Sequence, residues 1–278
     1  TARGNKHINE LRKFPCNCPI CTKYTPKEVN SLNKKEKTRV LAEHNLYHSF
    51  SELRIIREAI REGSLWDLVE QRVHAHPKLL EGLRVIKRFP EYFDEHINLS
   101  KTKGQNYLGR MSFHRAIFRR FRKKVTKFNF GKEKTQLLFL PELDLPSTNG
   151  TSILEWLGLV RKKEDYPSIQ VVILSSLLGP IPIELSEMYP AAQHVGQGNM
   201  KFNSDHRKIL LSNLRQFIQN NYSNLETVKI FVPESFVNEY GVELPFKPEN
   251  HLIGYVEKYL KSEIPDLKVN SSQVLEEL

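Results

Sequence analysis

No stretch of the 278 residues approaches the ~18–20 consecutive apolar positions that a membrane-spanning helix requires. The N-terminal Thr-Ala-Arg-Gly-Asn-Lys carries charge with no apolar core behind it, so it does not read as a secretory signal. These absences lead to the expectation of a soluble, cytoplasmic protein without a membrane partner. Cysteine is scarce: there are three, and all fall within six residues, at Cys16, Cys18 and Cys21. A disulfide scaffold spreads its cysteines to close loops, so that architecture is excluded and metal ligation is favoured. Internal repeats and low-complexity tracts are missing too. With 39% hydrophobic and 27% charged residues, the chain has enough apolar side chains for packed cores.

Charge is unevenly distributed. The net charge is +10, but residues 1–130 hold 28 Lys and Arg against 13 Asp and Glu, a net of +15, whereas residues 131–278 carry a net of −5. A basic half joined to a mildly acidic one suggests a face that meets a polyanion. Between Arg110 and Lys127 there is no acidic residue at all. Arg115, Arg119 and Arg122 there follow an i, i+4, i+7 path, with Arg110, Arg120, Lys123, Lys124 and Lys127 around them. Arg110, Arg115, Arg119, Arg122 and Lys123 are the candidate phosphate contacts of an RNA-binding surface.

Cys16-x-Cys18-x2-Cys21 presents three soft ligands at spacings that let thiolates converge on one ion. Tetrahedral zinc needs a fourth ligand, and with no cysteine left a histidine is the natural choice. His44 is the preferred ligand and His48, one possible helical turn on, is the alternative. A site closed by three Cys and one His implies a structural zinc ion rather than a catalytic one. His74 and His76 sit one residue apart at a helix end and read as capping residues.

The periodicity divides the remainder. Ser49 and Glu52 have the spacing of a capping box, and Phe50, Leu53, Ile56 and Ile60 recur behind them until Gly63. Ser64 with Asp67 opens a second helix and Pro77 a third, so residues 49–88 are expected to form three short helices. Residues 89–109 read as irregular, and Ser112 as the cap of a helix reaching about Val125. Gln136–Leu140, Gln170–Leu174 and Val228–Val232 are short buried-type strands, alternating with helical patterns at about 151–160, 206–220 and 250–261. The predicted class is therefore α/β (α+β overall).

Phe14-Pro15-Cys16-Asn17-Cys18-Pro19-Ile20-Cys21-Thr22-Lys23-Tyr24-Thr25 resembles the zinc segment of archaeal tRNA-guanine transglycosylases, and His44-Asn45-Leu46-Tyr47 their fourth-ligand motif. Ile55-Ile56-Arg57-Glu58-Ala59-Ile60-Arg61-Glu62-Gly63-Ser64-Leu65-Trp66 and Arg72-Val73-His74-Ala75-His76-Pro77 are similar to the helices that follow. Leu178-Gly179-Pro180-Ile181-Pro182-Ile183-Glu184-Leu185 and Met188-Tyr189-Pro190-Ala191-Ala192-Gln193 resemble the first accessory domain. The resemblance implies the zinc-bearing helical end of a (β/α)8 barrel at 1–127, a first α/β accessory domain at 128–205 and a second at 206–278. It further implies that a guanine in the tRNA D-arm is exchanged for 7-cyano-7-deazaguanine through an aspartate nucleophile. That aspartate lies upstream of the zinc segment in the family, so it is expected on another polypeptide or an upstream region, with tRNA and a catalytic transglycosylase subunit or domain as partners. Related archaeosine synthases carry a Pro-Cys…Lys-Pro-Tyr signature where this chain reads Pro141-Glu142-Leu143-Asp144. Glu142 and Asp144 are the only carboxylates there, and synthase chemistry is the weaker expectation.

Overall fold

A computed structural model describes residues 7–97, 104–143, 151–195, 204–237 and 242–278. The chain divides into two compact units, 1–86 and 87–278. Among the described residues no helix is long and apolar enough to cross a membrane.

The described part of the first unit is wholly helical. α1 (Pro19–Lys23) and α2 (Pro26–Ser31) both open on a proline, which has no N–H to leave unsatisfied in a first turn. Thr25 and Glu28 complete a capping box on α2. α3 (Lys34–Glu62) follows, capped by the Asn33 side chain on the Glu36 N–H and ended by Gly63 in the left-handed conformation at φ 72°. α4 (Leu65–Val73) and α5 (Pro77–Ile86) complete the unit.

α3 corrects one expectation. Ser49 and Glu52 do not start a helix; they lie inside a single helix of 29 residues. Nothing from Lys34 to Glu62 is glycine or proline, and the Asn33 cap comes first, so the helix propagates through the later Ser-x-x-Glu pattern. Gly63, α4 and α5 fall where the periodicity puts them.

The second unit opens on α6 (Pro90–His96), a helix absent from the sequence expectation, whose seven residues are too few for periodicity to register. Next come β1 (Gln105–Asn106), a 3-10 turn at Ser112–His114, and α7 (Ala116–Val125). α7 thus starts four residues after Ser112, but its expected face of Phe113, Ile117, Phe121 and Val125 is buried. Beyond it run β2 (Gln136–Pro141), α8 (Thr151–Val160), β3 (Ile169–Ser175), β4 (Gly179–Pro182), β5 (His194–Val195), α9 (Ser204–Asn221), β6 (Thr227–Phe231), β7 (Ser235–Val237), β8 (Glu243–Pro245), α10 (Ile253–Glu263) and β9 (Lys268–Ser272).

Five strands make one sheet in the order β4-β3-β2-β6-β9, parallel except for β4. β2 is central and buried from Leu137 to Pro141, as a strand covered on both faces must be. The β2-α8-β3 and β6-α10-β9 crossovers run in opposite directions from the centre of the sheet. This sheet corrects the domain boundaries. Strands of 128–205 and of 206–278 pair directly as β2 with β6, so the two expected accessory domains are one unit. α7 packs on β4 and α9, which places it in that unit too, and the division falls after residue 86 rather than 127.

Candidate metal centre and basic helix

Ile20, Val29 and Val40 form a small core, with Phe14, Tyr24, Leu32 and Leu41 packed against it. That core ties α1 and α2 to α3. Val40 is its contribution from α3, and His44 lies one turn further along the same face. The burial of Val40 therefore aims the His44 ring at the cysteine turn. His44 Nδ1 lies 3.4 Å from Cys18 Sγ and 3.2 Å from Cys21 Sγ. The ligand atoms of Cys16, Cys18, Cys21 and His44 all lie within 4.8 Å of one another. Zinc–sulfur and zinc–nitrogen bonds of about 2.3 and 2.0 Å require ligand atoms roughly 3.5–4 Å apart, so the set can converge on one tetrahedral ion.

The backbone assists. Cys18 caps α1, its Sγ accepting from the Cys21 N–H at 3.5 Å, and Cys16 Sγ accepts from the Cys18 N–H at 3.4 Å. Burial pushes the Cys18 thiol up, but hydrogen bonds from the Cys21 N–H, His44 and the other two cysteines outweigh it and hold its pKa down at about 6. Burial and the neighbouring Cys18 and Cys16 sulfurs push Cys21 up to about 12. One thiolate thus forms readily and opposes a second, a conflict that a divalent cation at the centre removes. His48 stacks parallel to His44 with ring centroids 6.4 Å apart and is outside the cluster. Of the two histidines left open by spacing, His44 is the one that lies beside the cysteines. His74 and His76 make local contacts: His74 Nδ1 with the Glu70 carbonyl, and His76 Nδ1 accepting from the Lys78 N–H.

The five basic residues proposed from sequence separate into two groups. Arg115 and Arg122 are buried. Arg115 donates to the Asn106 carbonyl at 3.0 Å. Arg122 donates to the carbonyls of Leu177 and Phe113 at 2.8 and 2.7 Å, with its guanidinium 4.0 Å from the Phe113 ring centre. Burial, then the nearby Arg119, lowers the Arg122 pKa to about 9. Arg119 forks onto Asp94 and donates to the carbonyls of His114 and Pro90. These arginines hold the turns around α7 together, so their donors are not free to grip phosphates. Arg110 is exposed, and so is Lys123, although Lys123 also meets Asp94 at 3.0 Å. Lys124 and Lys127 are exposed as well. Glu142 is buried directly after β2, 3.5 Å from His194 Nε2, and Asp144 lies outside the described residues.

With this geometry, the comparisons with known proteins are specific. Residues 2–78, which contain all four clustered ligands, match the family model of queuine tRNA-ribosyltransferase. The tRNA-guanine(15) transglycosylase of Methanococcus maripaludis strain C6 is 33% identical over 254 residues, covering 87% of this chain and 35% of the relative. That of Methanocaldococcus jannaschii is 37% identical over 198 residues, covering 70% and 28%. The chain is a homologue of archaeal tRNA-guanine(15) transglycosylases. The corresponding protein of Methanothermobacter thermautotrophicus is 31% identical over 247 residues, covering 89% of the chain and 36% of the relative. The chain spans about a third of the length of these transglycosylases. The similarity reaches well beyond the cysteine cluster, because matches of this extent must include much of the second unit.

Proposed function

We propose that this chain is the zinc-bearing and accessory portion of a tRNA-guanine(15) transglycosylase acting on the tRNA D-arm, where guanine is exchanged for 7-cyano-7-deazaguanine. The observation that carries this reading is the convergence of Cys16, Cys18, Cys21 and His44 inside the segment that matches the transglycosylase family model. One zinc ion, held by these four side chains, ties α1 to α3 and has no position open for substrate. The aspartate nucleophile and its proton-handling partner belong to a catalytic barrel supplied by another polypeptide or region. The apolar residues of α3 fit this arrangement: Leu46, Phe50 and Ile60 are each more than half exposed, an apolar stripe suited to a protein partner. tRNA contacts fall to Arg110, Lys123, Lys124 and Lys127, which supply phosphate attraction and little sequence readout.

Native mass spectrometry of the protein from its source organism, combined with zinc analysis, tests the reading. The expected result is one zinc per chain in a complex, or in a longer polypeptide, that exchanges labelled guanine into tRNA. A lone 32.5 kDa species with zinc that binds tRNA and associates with no catalytic chain would instead establish a free-standing RNA-binding module.

A further inference from the structure

Two histidines of the second unit face each other across elements that are distant in sequence. His114 closes the 3-10 turn before α7, and His206 lies in the first turn of α9. Their rings meet edge to face with centroids 5.5 Å apart. His206 also stacks on Phe113, nearly parallel, with the centroids 3.9 Å apart. Phe113 is fully buried and has the Arg122 guanidinium 4.0 Å from its ring centre, so the stack includes a buried cation. His206 is only 6% exposed, yet among the described residues neither imidazole makes a hydrogen bond. Ring nitrogens in such a setting ordinarily have a partner.

The charge around the pair is one-sided. Lys87, which opens the second unit, and the buried Arg122 act electrostatically on both rings. Arg119 adds to this at His114, and Arg110 at His206. Arg119 is matched by Asp94, whereas the exposed Lys87 and Arg110 have no ion pair among the described residues. Asp205 opposes these cations at His206, but less than any one of Arg122, Lys87 and Arg110. The start of α9 contributes the positive end of its dipole. We propose that His114 and His206, flanked by Lys87 and Arg110, form a seat for a single phosphate group. The donors come from three separate elements, and a tetrahedral oxyanion presents acceptors in as many directions. Its charge offsets the surrounding cations and so favours protonation of both rings, each of which then gains a second N–H to donate. The phosphate is either a backbone group of bound tRNA, which rests on the transglycosylase reading, or that of a free nucleotide; the chemistry of the seat is the same.

The chain has ten histidines, and their Cε1–H resonances report ring charge in NMR spectra. His114→Gln and His206→Gln assign the two that matter. Inorganic phosphate is titrated into the full chain near pH 6, with sodium chloride withdrawn to hold ionic strength constant. The expected result is a saturable shift of the His114 and His206 resonances toward the imidazolium position, with the other histidines unmoved. Lys87→Gln and Arg110→Gln should each weaken the apparent affinity about tenfold, with thermal unfolding unchanged in both. Adenosine monophosphate and tRNA, compared next, separate the sources: a response to tRNA at far lower concentration assigns a backbone phosphate, and a response to the nucleotide alone assigns a free one. Guanine exchange is measured separately, so failure of the seat and failure of the transglycosylase reading are distinguishable. Shifts that chloride reproduces, an equal drift of all ten rings, or no saturable shift would each overturn the proposal.

Discussion

His44 is set on the cysteine turn by Val40, one helical turn before it, and this couples the geometry of the Cys/His cluster to a very small core. Cys18→Ala is expected to abolish zinc retention after desalting and to raise proteolytic susceptibility across 7–62, since a structural ion contributes its binding energy to folding. His44→Ala should do the same, whereas His48→Ala should keep one zinc per chain by elemental analysis; loss in the His48 variant would overturn the ligand assignment. The second unit has a separate pH signature. Burial and nearby cations lower His114 to about 3 and His206 to about 4, and burial lowers His251 to about 4. These rings are neutral in the folded state, while the unfolded chain protonates them near 6.5. Their contribution is present above that pH and is lost as pH falls toward their folded values. The urea midpoint of the full chain should therefore drop between pH 7 and 5, and His206→Gln should make the drop shallower.

At the level of single elements, α7 shows how one basic helix serves two ends. Its arginines bind carbonyls and Asp94 inside the unit, while lysines near its C-terminal end remain at the surface. Arg122→Ala removes two charge-assisted hydrogen bonds and a stacked guanidinium, and is expected to cost on the order of 3 kcal/mol in denaturant unfolding. Lys127→Ala should change stability by less than about 0.5 kcal/mol. For tRNA affinity the order reverses. Arg110→Ala and Lys127→Ala should each flatten the log–log salt dependence by about one, measured by filter binding across a salt series. A slope unchanged in both variants would take this surface out of the RNA interface. β2 makes the corresponding point for the core: Phe139 is fully buried in the central strand, and Phe139→Ala should cost about 3–5 kcal/mol.

Across the whole molecule, the asymmetry of charge follows the structural division only in part. The basic first 130 residues include all of the first unit and the opening helices of the second, so positive charge is present on both. The acidic remainder forms the whole five-stranded sheet together with α8, α9 and α10.

Much of this was legible in the residues alone. Three cysteines so close together point to one site, and the structure brings their sulfurs together with His44. Gly63, Pro77 and the branched runs of β2, β3 and β6 mark their elements through backbone restriction and side-chain shape, which are local properties. The choice of His44 over His48 was not local. It depends on which face of an uninterrupted α3 packs on α1 and α2, and the helix starts at Asn33 instead of Ser49. The basic run from Arg110 to Lys127 was equally ambiguous, since a guanidinium binds a backbone carbonyl as well as a phosphate. Burial separated Arg115 and Arg122 from Arg110 and Lys127, and burial arises from contacts with Asn106 and Leu177, up to 55 residues away in sequence. The pairing of β2 with β6, which joins two expected domains into one, is set by hydrogen bonds between strands some 90 residues apart in the chain.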